Sequence, residues 1–214
     1  MKIPLVNQLK KRQQVEIALL QDEIIRIIYL VAEDMVLHGD TAIWRCYSGK
    51  RFSEDLDFYS LSFPSVTKQF EKRVLSQGLK MEKIKDTGNV IFSSVSNGKT
   101  IVKLEVNHTR KVDGSITSYE LVDGTGIEIL SLTPDQLINE KIDAYTDRRY
   151  IRDLYDIHHL VKSGSILDST KTRLRFFLQN IQHPVDESIL KSIVYIGLAP
   201  TFDHMINEIG RSIT

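Results

Sequence analysis

The run Arg51–Ser60, RFSEDLDFYS, constrains the fold more than any other part of the chain. Acidic and apolar residues alternate from Asp55 to Phe58, and a period of two residues is typical of a β-strand. Residues two apart in a strand project from the same face, so Asp55 and Asp57 lie together, about 6.5–7 Å apart at the backbone. Aspartate is otherwise disfavoured in strands. The run therefore predicts a strand that presents two carboxylates on one face.

Two carboxylates on one face repel each other unless a positive group lies between them. A divalent metal is the natural occupant, because Mg²⁺ takes oxygen ligands and keeps open positions for phosphate. Two such ions about 3.5–4 Å apart can activate an attacking oxygen and stabilise a leaving pyrophosphate. Glu105 is the candidate third carboxylate, because it lies between Leu104 and Val106 in another strand-like run. The alternative for each of these acids is an exposed position in a strand.

Composition limits the classes of protein that the chain can belong to. Its 214 residues suffice for one large domain or two small ones. Lys+Arg and Asp+Glu each number 28, so net charge gives no global reason to expect nucleic-acid binding, and any basic surface must be local. The single cysteine, Cys46, excludes an intramolecular disulfide. The longest apolar run, Ile24–Ala32, is too short to span a membrane. We expect a soluble cytoplasmic protein with no membrane partner.

The first part of the chain is predicted to mix helices and strands. An Asn97-Gly98 turn indicates a hairpin between two strand-like runs. The predicted elements are one or two helices over Val6–Met35, a strand over Met35–Gly39, helical turns over Thr41–Tyr47, a helix over Ser65–Gln77 with Ser65 as N-cap, strands over Asn89–Val95 and Thr100–His108, a polar patch over Thr109–Ser118 and a strand over Glu128–Leu132.

From Thr133 the pattern becomes helical, because Thr133-Pro134 is a typical N-cap followed by proline in the first turn. The predicted helices are one that ends near Arg148–Ile151, then Asp153–Lys162, Asp168–Asn180, Asp186–Gly197 and Thr201–Ile213. We therefore predict an α+β domain over residues 1–125 and a helical domain over residues 126–214.

Lys141 and Arg148 lie seven residues apart and therefore share a helix face. Lys141 lies near the apolar stripe of that helix, where a lysine needs a partner such as a bound phosphate. The alternative is a lysine that extends to solvent beside Glu140. Asp153 and Asp156 follow, and by themselves they are also typical of a helix N-terminus.

Two blocks of sequence resemble the AbiEii/AbiGii nucleotidyltransferase family. His38–Ile43 (HGDTAI) and Arg51–Phe58 (RFSEDLDF) are similar to the family pattern G-G-T-[AS]-L followed by R-F-S-x-D-L-D-F. Glu140-Lys141, Arg148 and Arg152–Ile157 (RDLYDI) are similar to its E-K, R and R-D-L-x-D-[IL] signature. The blocks occur in the family's order, and the resemblance extends over about residues 20–165.

The resemblance implies a polymerase-β-like nucleotidyltransferase domain with a mixed sheet, followed by a helical domain. The family contains toxins of abortive-infection and toxin–antitoxin systems, with the MenT toxins as relatives. The implied reaction is metal-dependent transfer of NMP from an NTP to an acceptor hydroxyl, with RNA such as a tRNA 3′ end as acceptor. A cognate antitoxin is the implied protein partner.

The resemblance also implies roles for individual residues. The expected metal ligands, for two Mg²⁺ ions, are Asp55, Asp57 and Glu105. The expected catalytic residues are these three together with Lys141, which would contact the triphosphate, and Asp153, which would complete the site from the helical domain. The expected nucleotide-binding residues are Gly39 and Thr41 in the phosphate-binding turn, Ser53, Lys141, Arg148 and Arg152.

One residue departs from the family pattern: Asp40 stands where the family has its second glycine. A carboxylate that points toward the triphosphate would weaken nucleotide binding, whereas one that points away would not. Asp40 therefore keeps a non-catalytic relative, which binds nucleotide or a partner, as one alternative. A transferase that acts on a small molecule or a protein is the other, and a basic stripe leading to the site would favour RNA over it.

Overall fold

The described chain, residues 3–214 of a computed structural model, divides into two compact units. The first unit extends to Cys46 and resumes over Ser53–Leu132, and the second comprises Tyr47–Phe52 and Thr133–Thr214. Residues 1 and 2 of the predicted first domain lie outside the described range.

The first unit is built on a seven-stranded mixed sheet with the strand order β3-β4-β5-β2-β1-β7-β6. The pairs β2–β5 and β1–β7 are parallel, and the other neighbours are antiparallel. Its helices are α1 (Leu5–Gln8), α2 (Arg12–Ile28), α3 (Gly39–Cys46) and α4 (Phe63–Ser76). Its strands are β1 (Val36–His38), β2 (Leu56–Tyr59), β3 (Lys80–Asp86), β4 (Val90–Ser96), β5 (Ile101–Asn107), β6 (Ser115–Glu120) and β7 (Gly126–Ser131). The prediction of an α+β fold with a mixed sheet is confirmed.

The two faces of the sheet differ in burial. On β5, Val102, Leu104 and Val106 are fully buried, while alternate residues such as Lys103 face the other way and are exposed. Helix α2 packs against β5, and α4 packs against β3. The helices thus cover one face of this half of the sheet. The apolar residues alternate along the strand because every second side chain is buried under these helices.

The sequence-based prediction missed two strands and displaced one helix start. Strand β3 (KMEKIKD) lies at the sheet edge with nearly every residue exposed, so it lacks the apolar alternation of a half-buried strand. Strand β6, at the other edge, begins inside the predicted polar patch, and its first four residues are mostly exposed, so apolar alternation is absent there too. Helix α4 begins at Phe63, after Ser62 as N-cap residue, rather than at Ser65.

The second unit is helical. Its elements are α5 (Pro134–Arg148), α6 (Ile151–Ser163), α7 (Asp168–Asn180), a 3₁₀ turn (Glu187–Ile189), α8 (Leu190–Ile193) and α9 (Phe202–Ser212). Thr133 caps α5 in a reciprocal capping box with Gln136, as its sequence position predicted. The helix predicted over Asp186–Gly197 is confirmed only over residues 187–193, as the 3₁₀ turn and α8, because the chain leaves the helical path at Val194. There it bridges Arg51, and the amide of Tyr195 donates to the carbonyl of Lys50 at 3.1 Å.

Over residues 3–214, the structure contains no helix that is both long enough and apolar enough to cross a membrane.

A buried ion pair joins two helices of the first unit. Arg45 on α3 donates to Asp22 on α2, and the guanidinium lies 4.6 Å from the ring centre of Tyr119 and 4.8 Å from that of Trp44. The other oxygen of Asp22 accepts from the amide of Val122 at 2.8 Å. Burial raises the pKa of Asp22 to about 6, and Arg45 opposes this rise. The pair therefore connects α2, α3 and the chain segment after β6.

We predict that Arg45→Met lowers the free energy of unfolding by about 3–5 kcal/mol at pH 8, because it leaves a buried carboxylate unpaired. The folded protein retains the Asp22 proton up to about pH 6, above the range in which an unfolded aspartate loses it. The Asp22 contribution is therefore fully present below pH 4 and is lost as the pH rises through 6. Without Arg45 the pKa of Asp22 rises further, so the loss of stability becomes larger and occurs at higher pH.

Urea denaturation at pH 5 and pH 8 measures both effects. The double variant Asp22→Asn/Arg45→Met keeps an acceptor for Val122 and carries no buried charge, so it should recover most of the loss and show little of this pH dependence. Equal instability of the single and double variants at pH 8 would contradict the assignment.

Candidate functional site

Strand pairing sets Asp57 between two polar neighbours. In the parallel pair β2–β5, Asp57 lies opposite Glu105, and in the antiparallel pair β1–β2 it lies opposite His38. Residues directly opposite each other project from the same face of a sheet. Leu56 and Phe58, on either side of Asp57, are fully buried on the other face. The two predicted acids from separate strand-like runs are thus direct neighbours.

Asp55 lies just before β2, so the strand begins one residue later than the alternation predicted. Its backbone is held by Thr41, whose hydroxyl donates to the Asp55 carbonyl and lies 2.8 Å from the hydroxyl of Ser53. The side-chain amide of Gln21 donates to the Ser53 carbonyl at 3.1 Å. Thr41 and Ser53 are both buried. Their side chains therefore fix the segment that presents Asp55, and their contact with a nucleotide stays a prediction.

Gly39 brings backbone directly against Asp57. Its φ is +69°, a conformation that favours glycine, and a Cβ at this position would lie 2.9 Å from Oδ2 of Asp57. Gly39 also begins α3, and the amide groups of a helix N-terminus carry partial positive charge. No side chain fits between this turn and the carboxylate.

Negative charge is concentrated around Asp57. Burial raises the pKa of Asp57 to about 6; His38 lowers the value, whereas Asp40, Glu105 and Asp55 raise it. Burial also raises the pKa of Glu105, with a further rise from Asp55. Asp40 therefore adds its charge to the same group of carboxylates.

These carboxylates suit a divalent cation. Four acidic side chains act on one another here, and their mutual repulsion is the condition that a bound cation relieves. Oxygen ligands of this kind are the ones that Mg²⁺ prefers. Asp55, Asp57 and Glu105 are donors of the type that Mg²⁺ takes, and their role as its ligands stays a prediction; Asp40 is a further acid nearby that the metal prediction did not include.

The second unit contains its own cluster of charges. Nζ of Lys141 lies 3.1 Å from Oδ1 of Asp153 and 3.0 Å from Oδ2 of Asp156. Arg148 donates to both oxygens of Asp153, each at 2.8 Å. Lys141 is only 4% exposed, so the alternative of a lysine that extends to solvent is wrong. The shared helix face of Lys141 and Arg148 is confirmed, since both contact Asp153.

Arg51 completes this cluster. Its Nε donates to Oδ1 of Asp156 at 2.6 Å and its Nη2 donates to Oδ2, a two-point pairing that only a guanidinium provides. The segment Tyr47–Phe52 is thereby held within the second unit, with a further hydrogen bond from the Tyr195 hydroxyl to the Gly49 carbonyl at 2.9 Å.

Arg152, predicted to bind nucleotide, lies near this cluster and contacts the ring of Tyr150. Its guanidinium lies 5.6 Å from the ring centre of Tyr150, and that of Arg148 lies 5.3 Å from the same ring. Two cations thus flank one exposed aromatic side chain at the start of α6.

The structure brings the predicted site residues together as two groups. The first unit joins Asp55, Asp57 and Glu105 with Gly39, Thr41 and Ser53, and the second unit joins Lys141, Arg148 and Asp153 with Arg152 beside them. Site neighbours that no role was predicted for are His38, Arg51 and Asp156. Each lies inside a motif that was noticed, but only the strand register and the ion pairs show what it contacts.

A family model described as "Nucleotidyl transferase AbiEii toxin, Type IV TA system" matches residues 27–208. No curated protein matches the sequence.

Solved structures resemble the fold. MenT4, a nucleotidyltransferase toxin from Mycobacterium tuberculosis, is 15% identical, with a TM-score of 0.64 over 94% of this chain and 82% of that one. JHP933 from Helicobacter pylori is 23% identical, with a TM-score of 0.61 over 92% of this chain and 90% of that one.

We predict that Gly39→Ala weakens Mg²⁺ binding by about 10- to 100-fold, because the new methyl group displaces the Asp57 carboxylate. The matched control is Gly78→Ala, which has a similar φ of +76° but no neighbour within 4 Å of its new Cβ. Both variants carry the same backbone cost of about 1–2 kcal/mol. Calorimetric titration with Mg²⁺ separates them, and equal affinity in the two variants would count against the site.

We predict that Arg51→Lys lowers the free energy of unfolding by about 1.5–3 kcal/mol, because an ammonium cannot reproduce both hydrogen bonds to Asp156. The matched control is Arg12→Lys, in an exposed i,i+4 pair with Glu16, where the cost should stay within about 0.5 kcal/mol. Chemical denaturation measures both, and a similar cost at the two positions would refute a structural role for the Arg51 pair.

Proposed function

Since this chain belongs to the AbiEii family of nucleotidyltransferase toxins, we propose that it transfers an NMP group from an NTP to a hydroxyl of an RNA acceptor. Asp55, Asp57 and Glu105 would hold the metal for this reaction. The RNA would be single-stranded at its reactive end, as a tRNA 3′ end is, and the reaction would take place in the cytoplasm, where both substrates are present.

One observation supports this proposal above the others: Asp57 lies opposite Glu105 on the sheet face away from helices α2 and α4, directly against the Gly39 turn. A turn without side chains lets phosphate oxygens approach backbone amides at the start of α3. Carboxylates within the same site accept a metal that phosphate can share. The backbone that we propose to bind phosphate and the acids that we propose to bind metal are thus adjacent, as phosphoryl transfer requires.

In the proposed reaction, the acceptor oxygen attacks the α-phosphorus, the bond from that phosphorus to the bridging oxygen breaks, and pyrophosphate leaves. Bound Mg²⁺ would supply charge neutralisation at the phosphates and lower the pKa of the attacking hydroxyl. The hydrogen bond from Thr41 to the Asp55 carbonyl fixes the backbone that would present this carboxylate. The carboxylates are held by strand pairing and buried neighbours, so they need little reorganisation when substrate binds.

The cations of the second unit have a proposed role toward the triphosphate. Lys141 and Arg148 converge on Asp153, and Arg152 lies beside them. This network holds Lys141 and Arg148 at set positions, since both are tied to the buried carboxylate of Asp153. We propose that Lys141, Arg148 and Arg152 bind the triphosphate. Asp153 would position the side chains of Lys141 and Arg148.

The family also supports a protein partner. Toxins of this class are implied to act under the control of a cognate antitoxin, and MenT4, which shares the fold, is itself named a nucleotidyltransferase toxin. We propose that expression of this chain without such a partner arrests growth.

We predict that Asp57→Asn lowers transfer by more than about 100-fold, because it removes one metal ligand while keeping the side-chain volume. The assay incubates the protein with Mg²⁺, each α-³²P-labelled NTP in turn and total tRNA, and follows label on RNA. The control is Glu128→Gln, which removes an exposed carboxylate from β7, two strands from β2 and four residues along the strand from the level of Asp57, and should retain full activity.

Each other outcome of this assay excludes part of the proposal. Label on a protein or on a small product would show that this molecule, and not RNA, is the acceptor. NTP binding without any label would favour the non-catalytic alternative, with Asp40 as its cause. Transfer at the unaltered rate by Asp57→Asn would rule out the carboxylate site.

A further inference from the structure

The sheet face that presents Asp57 and Glu105 continues beyond the carboxylates to the edge of the sheet. Phe92 on β4 lies opposite Glu105, and Lys85 on β3 lies opposite Phe92. Since opposite residues share a face, one row of side chains extends from Asp57 to the edge strand.

A second row lies beside the first on the same face. Lys103 lies two residues before Glu105 on β5, Ser94 lies opposite Lys103, and Lys83 lies opposite Ser94. We call the surface formed by Lys83, Lys85, Phe92 and Lys103 the basic face. It begins about 7 Å from Glu105 along β5 and reaches about 10 Å from it across the strands.

The basic face is accessible. All three lysines are exposed and Phe92 is half-buried, whereas the intervening Ser93 and Leu104 are buried on the face that the helices cover. Polar and charged side chains thus surround one partly exposed aromatic ring.

The charge of this face contrasts with the chain as a whole. The full sequence has equal numbers of acidic and basic residues, yet three lysines lie here in two rows. Asp86 lies opposite Ile91, whose side chain is buried on the helix side, so Asp86 belongs to that face of the sheet. Its Oδ1 lies 3.1 Å from Nε2 of His108. Glu82 lies at the register shift between Met81 and Lys83, outside the two rows. The excess of positive charge is therefore local.

Protection of the sheet edge does not account for the whole pattern. Lysines on an edge strand hinder pairing with other chains, and this explains Lys83 and Lys85 on β3. Lys103 and Phe92 lie on interior strands that have partners on both sides. A ligand that contacts all four explains both the interior and the edge positions.

We propose that the basic face binds the single-stranded 3′ segment of the RNA acceptor, with its phosphates against Lys83, Lys85 and Lys103 and one base stacked on Phe92. Proteins that bind single strands combine lysines along the backbone path with aromatic rings for the bases. A duplex offers no unstacked base to Phe92. This inference rests on the proposed function for the identity of the ligand, and it adds the path by which the acceptor reaches Asp57.

Direct binding tests the basic face separately from catalysis. The probe is a fluorescein-labelled single-stranded RNA 12-mer, and anisotropy gives Kd in the full-length protein carrying Asp57→Asn, so that no transfer occurs. The test variant adds Lys83→Gln, Lys85→Gln and Lys103→Gln. The matched control adds Lys68→Gln, Lys72→Gln and Arg73→Gln, which remove the same charge from exposed positions on α4.

We expect the test variant to weaken Kd by about 10-fold or more and to reduce the slope of log Kd against log salt by about 2, since each single-strand phosphate contact contributes about 0.7. The control should bind like the parent protein. Phe92→Leu, which keeps an apolar side chain, should weaken Kd about 5-fold or more with an unchanged salt slope.

Three results would overturn the inference: equal weakening in test and control variants, no weakening in the test variant, or equal affinity for a duplex of the same length. Thermal melting identifies any variant that has lost its fold, and Phe92→Leu then serves as the independent variant. If the test variant loses RNA binding while the protein without Asp57→Asn labels no RNA, the basic face stands and the proposed function fails. If RNA is labelled with the same KM for RNA in all lysine variants, the proposed function stands and the basic face fails.

Discussion

The parallel pairing of β2 with β5 is the interaction on which the site depends. It places Asp57 opposite Glu105, two acids separated by 48 positions in the chain. A register shift of one residue would send Glu105 into the buried face and bring Leu104 or Val106 to the open one. The apolar residues that alternate with the acids prevent that shift, because their burial specifies the register. The core residues thus determine where the carboxylates lie.

Each unit also contains a buried ion pair that ties distant segments together. Asp22 and Arg45 connect α2 with α3, while Asp156 and Arg51 hold the segment Tyr47–Phe52 in the helical unit. Both pairs include an arginine, which can satisfy a carboxylate through two donors or lie against aromatic rings. Breaking such a pair costs more than forming it gains, since the remaining charge stays buried. The pairs therefore specify chain paths more than they add stability.

Charge is distributed on the sheet by face and by strand. Acids gather where β2 and β5 meet, and lysines gather on β3 and β5 toward the edge. A protein with no net charge can in this way present one surface that attracts a cation and, beside it, another that attracts a polyanion. The basic stripe that would favour RNA as acceptor is a property of strand order and is not visible in the composition.

The sequence by itself determined the strand that carries Asp57, the β4–β5 hairpin, the capped start of α5 and the family to which the chain belongs. These follow from local patterns: alternation, an Asn-Gly turn, an N-cap threonine followed by proline, and two linear motifs. It did not indicate β3, which is almost entirely exposed, or β6, which begins in a polar segment, because exposed stretches of edge strands need no apolar alternation. The helix predicted over Asp186–Gly197 ends early, at residue 193, since pairing of Val194 and Tyr195 with residues 50 and 51 overrides helix propensity. Only the tertiary structure decided that Lys141 is paired with Asp153 and Asp156, and that Lys83, Lys85 and Lys103 share the open face with Glu105. Contacts between residues far apart in sequence depend on strand order and helix packing, and local patterns do not specify these.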